Sequence, residues 1–527
     1  MTSRPYEPRS DHRAPTWASG VNQRKDRDRP PRILMVTPEI TYLPAGMGNL
    51  AQRMSAKAGG LADVSASLVQ ALYDLGADVH VALPNYRRMF DLDVKEVFNN
   101  EYEKVARSLP PQRIHLAEDR VFYYKSQVYD DAEIYNIALA FQREVINHTI
   151  PEVRPDLIHC NDWMTGLIPA VARRHGIPSL FTVHNIHTER LTLAHIEDRG
   201  IDAADFWQYL FFKNPPHSYE ETREHNACDL LASGIFAADQ VNTVSPTFLN
   251  EVIAGHHDFV PGHICHELWA KREAGCAGGI LNAPDPSFDP TTDPLIPRNY
   301  GPDDHAEGKR DNKVALQQEL GLTVNPDAPM IFWPSRLDPV QKGCQLVTEI
   351  LHRLICDYED IGLQFVVVAN GSFQQHFHDI VEMHSLHDRV AVRDFNEGLS
   401  HRGYAGSDFI VMPSSFEPCG LPQMVSPKYG TLAIAHNTGG IHDTVEPLNC
   451  EADTGNGFRF DHFNGDALRW GIDQAIEFFR SGADHKKHHI SRIMREASER
   501  FNHKATAQAY FERYEEMLGR PVTRIVG

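Results

Sequence analysis

The sequence predicts an α/β protein of two parallel-sheet domains facing a central cleft. Short apolar runs alternate with helical segments along the chain, the pattern of βα units. The alternation is interrupted by a Pro- and Asp-rich stretch from Gly279 to about Pro326, so two series are expected rather than one. In both series several apolar runs end in polar or glycine residues, as at the carboxyl edge of a parallel sheet, where ligands bind. The expected organisation is a disordered tail over 1–30, a first domain over 31–285, a linker over 286–327 and a second domain over 328–505. A C-terminal helix over 506–527 is expected to pack back on the first domain.

In order, the first strand is Arg32 to Thr37. A long insert from Tyr42 to Ala56 leads to Lys57-Ala58-Gly59-Gly60, where glycines lie just before a helix and let backbone approach a ligand. In that helix Leu61, Val64, Leu68, Leu72 and Leu75 share one face, and Gly76 stops it. Strands follow at Val79–Leu83, Leu157–Cys160, Leu180–Val183 and Gln240–Val244. Two of them end in Asn161-Asp162-Trp163, read as a helix start that Asp162 caps, and in His184-Asn185. The second series has strands at Met330–Trp333, Gln364–Ala369, Val390–Arg393, Phe409–Met412 and Thr431–Ala435. Helices lie between them, with one expected at Ile380–His387, and late helices include Ala505–Leu518.

Composition excludes several classes. Hydrophobic residues make up 42% and the net charge is −20, which suits a globular chain and not a nucleic-acid binder. The eight cysteines are scattered with no CxxC pair, as in a reducing, cytoplasmic compartment. No apolar run is long enough to span a membrane. His256, His257, Asp258, His263, Cys265, His266 and Glu267 cluster, but at no zinc spacing; a His-rich surface loop is expected there.

The most informative stretch is Pro413–Val445. A strand, a loop carrying Glu417, a helix start at Cys419-Gly420-Leu421, a second strand and a second helix start at Gly439-Gly440 follow one another. Free N–H groups and the positive dipole end at such starts attract phosphate. Arg336 and Lys342, leaving the end of another strand, supply cations for a diphosphate. Glu417 suits either a helix-start acid or a group facing a sugar whose anomeric carbon gains positive charge. Cys419 is read as a small residue that fits ahead of a helix start.

With these motifs in hand, the chain resembles the bacterial glycogen synthase and plant starch synthase family, which uses ADP-glucose and has the GT-B fold of two Rossmann-like domains. The resemblance rests on KAGGLADV (57–64), PDLIHCNDW (155–163), TVHNI (182–186), TVSPT (243–247), GILN (279–282), DPTTDPLIP (289–297), SRL with QKG (335–343), FEPCGLPQ (416–423), KYGT (428–431) and NTGGIHDTV (437–445), all in the family's order. It implies that His184, Glu417, Arg336 and Lys342 act at the reaction centre. It further implies that Lys57, Gly59, Gly60, Asp63, Asp162, Asn185, Asn282, Phe395, Cys419, Gly420, Leu421, Gln423, Thr438, Gly439 and Gly440 line the donor and acceptor sites. Phe395 stands where the family has an aromatic beside adenine, and Thr438 where it meets the distal phosphate.

The implied reaction transfers glucose from ADP-glucose to the 4-OH of an α-glucan end, with retention and without a metal. The implied partners are the nucleotide sugar and the glucan, with no nucleic acid and no membrane. The sequence departs from the family at the 42–56 insert, at an extra residue near Val340 between Arg336 and Lys342, and at Pro422, Pro427, Ala283-Pro284 and His503. These departures leave two alternatives: a retaining enzyme of the same fold with another acceptor or nucleotide, or a glucan-binding paralogue without catalysis.

Overall fold

The computed structural model describes residues 29–48, 51, 54–90, 113–129 and 133–523; nearly all of the expected tail and part of the 42–56 insert lie outside these. The first sheet uses β1 (Arg32–Val36), β2 (Asp78–Pro84), β3 (Ile114–Ala117), β4 (Leu157–Asn161) and β5 (Ser179–Thr182). After a small antiparallel pair, β6 (Arg190–Leu191) and β7 (Cys228–Asp229), the sheet is completed by β8 (Gln240–Asn242) and β9 (Ala277–Gly278). Its order is β3-β2-β1-β4-β5-β8-β9, with every pairing parallel.

The second sheet comprises β10 (Met330–Trp333), β11 (Gln364–Val368), β12 (Val390–Arg393), β13 (Phe409–Met412), β14 (Leu432–His436) and β15 (Gly457–Phe460). Its order is β12-β11-β10-β13-β14-β15, again all parallel. In each sheet the chain reverses direction of growth beside its first strand: between β1 and β4, and between β10 and β13. Those are the switch points where an open parallel sheet leaves a crevice at its carboxyl edge. β13, Phe-Ile-Val-Met and buried throughout, has the continuous apolar character of a strand covered on both faces; β4 is equally buried but includes His159 and Asn161.

The His503–Leu518 helix belongs to the first domain's core. Ala507, Tyr510, Phe511 and Tyr514 are buried with the residues of β1 and β4. Tyr514 Oη lies 2.7 Å from His159 Nδ1, and Asn242 Nδ2 donates to Tyr510 Oη at 2.7 Å.

The expected 286–327 linker is corrected. It contains a helix, His305–Leu320, that packs in the second domain with Ile296, Tyr300, Leu316 and Leu320 buried. The sequence hid it because its inner face is largely polar. Lys309 Nζ donates to Thr431 Oγ1 at 2.7 Å and to the Tyr429 carbonyl at 3.1 Å. Lys313 pairs with Asp408 at 2.6 Å. With no counter-ion in contact among the described residues, burial pulls Lys309 down to about 7.

Three smaller corrections follow. The helix expected at Ile380–His387 runs over Gln374–His384. The short β3, β9 and β15 were not anticipated. Gly262–Glu273 is a helix rather than a loop, and His257 and His263 contact Glu251 and Asp229 at 3.0 Å each. Pro422 sits in the first turn of Pro422–Val425, and helical geometry tightens to a 3-10 turn at Ser426–Tyr429, where Pro427 removes a donor.

Because Tyr514 is fully buried, Tyr514→Ala is expected to destabilise the first domain by about 3–5 kcal/mol in urea unfolding. A loss below about 1 kcal/mol would show that the C-terminal helix is dispensable to that core.

Candidate active site

On the first domain the site is built at the β1/β4 switch point. Asp162 follows β4 with φ 57°, an unusual backbone for a non-glycine residue. Its carboxylate holds that geometry. It accepts from the His184 backbone N–H at 2.7 Å and from Asn185 Nδ2 at 3.1 Å, so the ends of β4 and β5 are tied together. The expected N-cap role fails, since Asp162 makes no side-chain cap bond to the short turn after it. Burial pushes its pKa up to about 7 against the help of those N–H donors.

His184 Nε2 lies 3.0 Å from Asn161 Oδ1. Desolvation at the strand ends holds its pKa down to about 3, so the ring is neutral at physiological pH.

The glycine turn before the first helix is held by a residue the sequence did not single out. Glu39, just after β1, accepts from the Ala58 and Gly59 N–H groups at 2.7 and 3.1 Å and from Tyr129 Oη at 3.1 Å. Burial raises its pKa nonetheless. Lys57 pairs with Asp63 at 2.8 Å and stays half-exposed, and Asp63 also accepts from Thr41 Oγ1 at 2.6 Å. A Cβ at Gly60 would lie 3.7 Å from Leu421 Cδ1, so this helix start faces the second domain's loop.

On the second domain the site is built at the β10/β13 switch point. Lys342 Nζ donates to Glu417 Oε2 at 2.5 Å, and Ser414 Oγ donates to the same oxygen at 3.2 Å. Glu417 Oε1 meets no donor among the described residues. The extra residue near Val340 bulges into solvent: Val340 is 77% exposed, while Lys342 N–H still closes a turn on the Asp338 carbonyl at 2.8 Å. The insertion therefore does not prevent Lys342 from reaching Glu417. Arg336 is exposed and makes no hydrogen bond or ion pair with the described residues.

The Glu417–Leu421 loop and the Gly439–Thr444 helix start are pressed together. A Cβ at Gly439 would fall 2.0 Å from the Glu417 carbonyl oxygen, and one at Gly440 2.0 Å from that of Cys419. Gly439 and Gly420 also have φ of 44° and 74°. Gln423 is buried with its amide on the Cys419 and Gly420 carbonyls and on Thr444 Oγ1; in this structure it positions the loop. Cys419 is buried and its thiol pushed up to about 12, so it is not a thiolate nucleophile. Asn282 is buried with its Oδ1 unpartnered among the described residues. Phe395, beyond β12, is 55% exposed.

Two first-domain contacts were not foreseen. Glu251 accepts from Gly439 N–H at 2.9 Å and from Thr438 Oγ1 at 3.2 Å, which puts a carboxylate on the donors expected to meet phosphate. Asp443 accepts from Ser245 Oγ at 2.6 Å and Thr247 Oγ1 at 2.5 Å. Glu39 and Glu251 carry no short motif of their own; only their partners, glycine N–H groups, were visible.

The family described as Starch synthase catalytic domain matches residues 32–261, and Glycosyl transferases group 1 matches residues 320–482. Glycogen synthase from Exiguobacterium sibiricum is 35% identical over 455 residues, covering 80% of this chain and 89% of that protein. Glycogen synthase from Moorella thermoacetica is 33% identical over 519 residues, covering 93% and 98%. The chain belongs to the glycogen synthase family. The catalytic domain of starch synthase IV from Arabidopsis thaliana, bound to ADP and acarbose, matches with TM-score 0.74 and 24% identity over 93% of this chain and 100% of that one. The fold is therefore GT-B, and this member of the glycogen synthase family is a hexosyltransferase. No helix among the described residues is long and apolar enough to cross a membrane.

Asp162 gives this family member a pH signature. Its folded pKa of about 7 lies above its ordinary 3.8, so the folded state holds the proton more tightly than the unfolded one. Stability is highest below the unfolded value and falls as pH rises from about 4 to about 7. Asp162→Asn should flatten that slope in urea midpoints measured across the window; an unchanged slope would refute the assignment.

Proposed function

We propose that the cleft elongates α-1,4-glucan with ADP-glucose as donor, Glu417 and Lys342 acting as one unit against the glucosyl diphosphate. The observation that carries this is the Lys342–Ser414–Glu417 arrangement at a sheet switch point, beside a glycine helix start. With Oε2 held by a cation and a hydroxyl, Oε1 remains to accept from a glucose hydroxyl. Lys342 and the exposed Arg336 face the diphosphate, and Phe395 offers an open ring for adenine. His184, neutral and with its one N–H directed at Asn161 Oδ1, suits accepting from a sugar hydroxyl near the reacting carbon through Nδ1, while Lys57 lies on the acceptor side.

In the proposed step the bond between glucose C1 and the diphosphate oxygen breaks, and ADP leaves with the electron pair. The acceptor 4-oxygen bonds C1 on the same face, and its proton passes to the departing phosphate oxygen. Protein cations balance the leaving group's charge, so we propose that no metal is needed. A phosphate on the Thr438 and Gly439 donors must displace Glu251, so the domains part at this contact before the donor seats. We place the protein in the cytoplasm, where its eight free cysteines would stay reduced. Its partners are the sugar nucleotide and the glucan, without nucleic acid or membrane.

The test is to incubate the protein with a glycogen primer and ADP-glucose or UDP-glucose, following nucleoside diphosphate release and chain growth. Growth with ADP-glucose is expected. Glucan binding with neither donor turned over would sink the reading, and turnover without growth would point to another acceptor. Glu417→Ala should lower kcat by on the order of 10²-fold with the fold intact; near-normal turnover would remove Glu417 from the reaction centre.

A further inference from the structure

A cluster of metal-ligating side chains lies away from the cleft, between the turn that precedes β15 and the Ala483–Arg500 helix. His485 and His489 are four residues apart on that helix and so share a face. Cys450 comes from the turn, which is pinned by bridges Pro447 to Gly457 and Asn449 to Thr454. The Cys450 sulfur and one nitrogen each of His485 and His489 lie within 4.8 Å of one another, as do ligand atoms of Asp453, His488 and His489.

His489 is common to both groups, and it is anomalous. Its side chain is 3% exposed, and its buried Nδ1 makes no hydrogen bond with the described residues. The nearest carboxylate oxygen, Asp453 Oδ1, is 3.1 Å away but not in hydrogen-bonding geometry. Buried polar atoms are rarely left unmet.

We propose that Cys450, His485 and His489 bind a zinc ion, with Asp453 as the carboxylate beside His489. A thiolate with two imidazoles is the donor set of a borderline-soft cation and not of magnesium or calcium. Binding forms the zinc–sulfur bond and releases the Cys450 thiol proton to solvent. His485 is exposed, so the remaining position opens to water. Asp453, in a left-handed conformation with φ 55°, is oriented by His488 Nε2 at 3.0 Å and Arg492 Nε at 3.2 Å.

The ion would staple the turn to the helix. That helix packs behind the Ser426–Tyr429 turn that leads into β14, since a Cβ on Gly430 would meet Ile490 Cγ2 at 2.8 Å and Met494 Sδ at 3.1 Å. The role is structural, and the proposed chemistry in the cleft does not use it.

The experiment uses the full chain, stripped with a chelator and titrated with zinc against a chromophoric competitor. One zinc per chain at micromolar or tighter Kd is expected, with a rise in Tm on binding. His485→Gln, an exposed substitution that leaves the core alone, and Cys450→Ser should each weaken zinc by at least about tenfold and lose the Tm rise. Cobalt in place of zinc should give a thiolate-to-metal charge-transfer band that Cys450→Ser lacks. The proposal is overturned if no zinc binds at micromolar concentration, if both variants keep wild-type affinity, or if the cobalt band survives Cys450→Ser.

Discussion

The second half of the active site depends on one close approach. The carbonyls of Glu417 and Cys419 come so near the start of the Gly439–Thr444 helix that no side chain fits at Gly439 or Gly440. Gly440 N–H closes the contact on the Glu417 carbonyl at 2.9 Å, and Gln423 fastens the loop from beneath. With its backbone fixed on that side, Glu417 has little choice of direction. Its carboxylate meets Lys342 from the neighbouring switch-point loop, and one oxygen is left for a ligand. The geometry is set by sheet order: β10 and β13 are neighbours, so the loops that follow them must meet.

The first domain uses the same device with different chemistry. There the β4 and β5 ends are joined by the Asp162 carboxylate, and the glycine turn by Glu39. Both are buried acids with raised pKa values, which makes this wall acidic and poorly solvated. The opposite wall brings Lys342 and Arg336. A donor with an anionic diphosphate and a neutral sugar is matched by that division. Glu251 completes the picture by lying on the Gly439 N–H in this structure, where an anionic ligand is expected to replace it.

Much of this was legible in the sequence because glycine and charge are informative where the backbone is crowded. The Pro413–Val445 stretch disclosed two helix starts and a lone carboxylate, and the structure brings them together. Most strands that face both layers were legible from unbroken apolar runs. The His305–Leu320 helix was not, because buried lysines and amides replaced the apolar periodicity that marks a packed face. Glu39 and Glu251 were missed for a different reason. Each acts by accepting backbone N–H groups from residues distant in sequence, and no local spacing records such a bond. Asp162 was identified as a site residue, but its side chain crosses to β5 and does not cap the following turn.

The central claim, that Lys342 and Glu417 function as a single unit, is tested most directly by a double-mutant cycle on kcat/KM with ADP-glucose and a glycogen primer. If the pair acts together, Lys342→Ala and Glu417→Ala each lose most of what the double variant loses, with a coupling on the order of 1–3 kcal/mol. Losses that simply add, with coupling below about 0.5 kcal/mol, would contradict it.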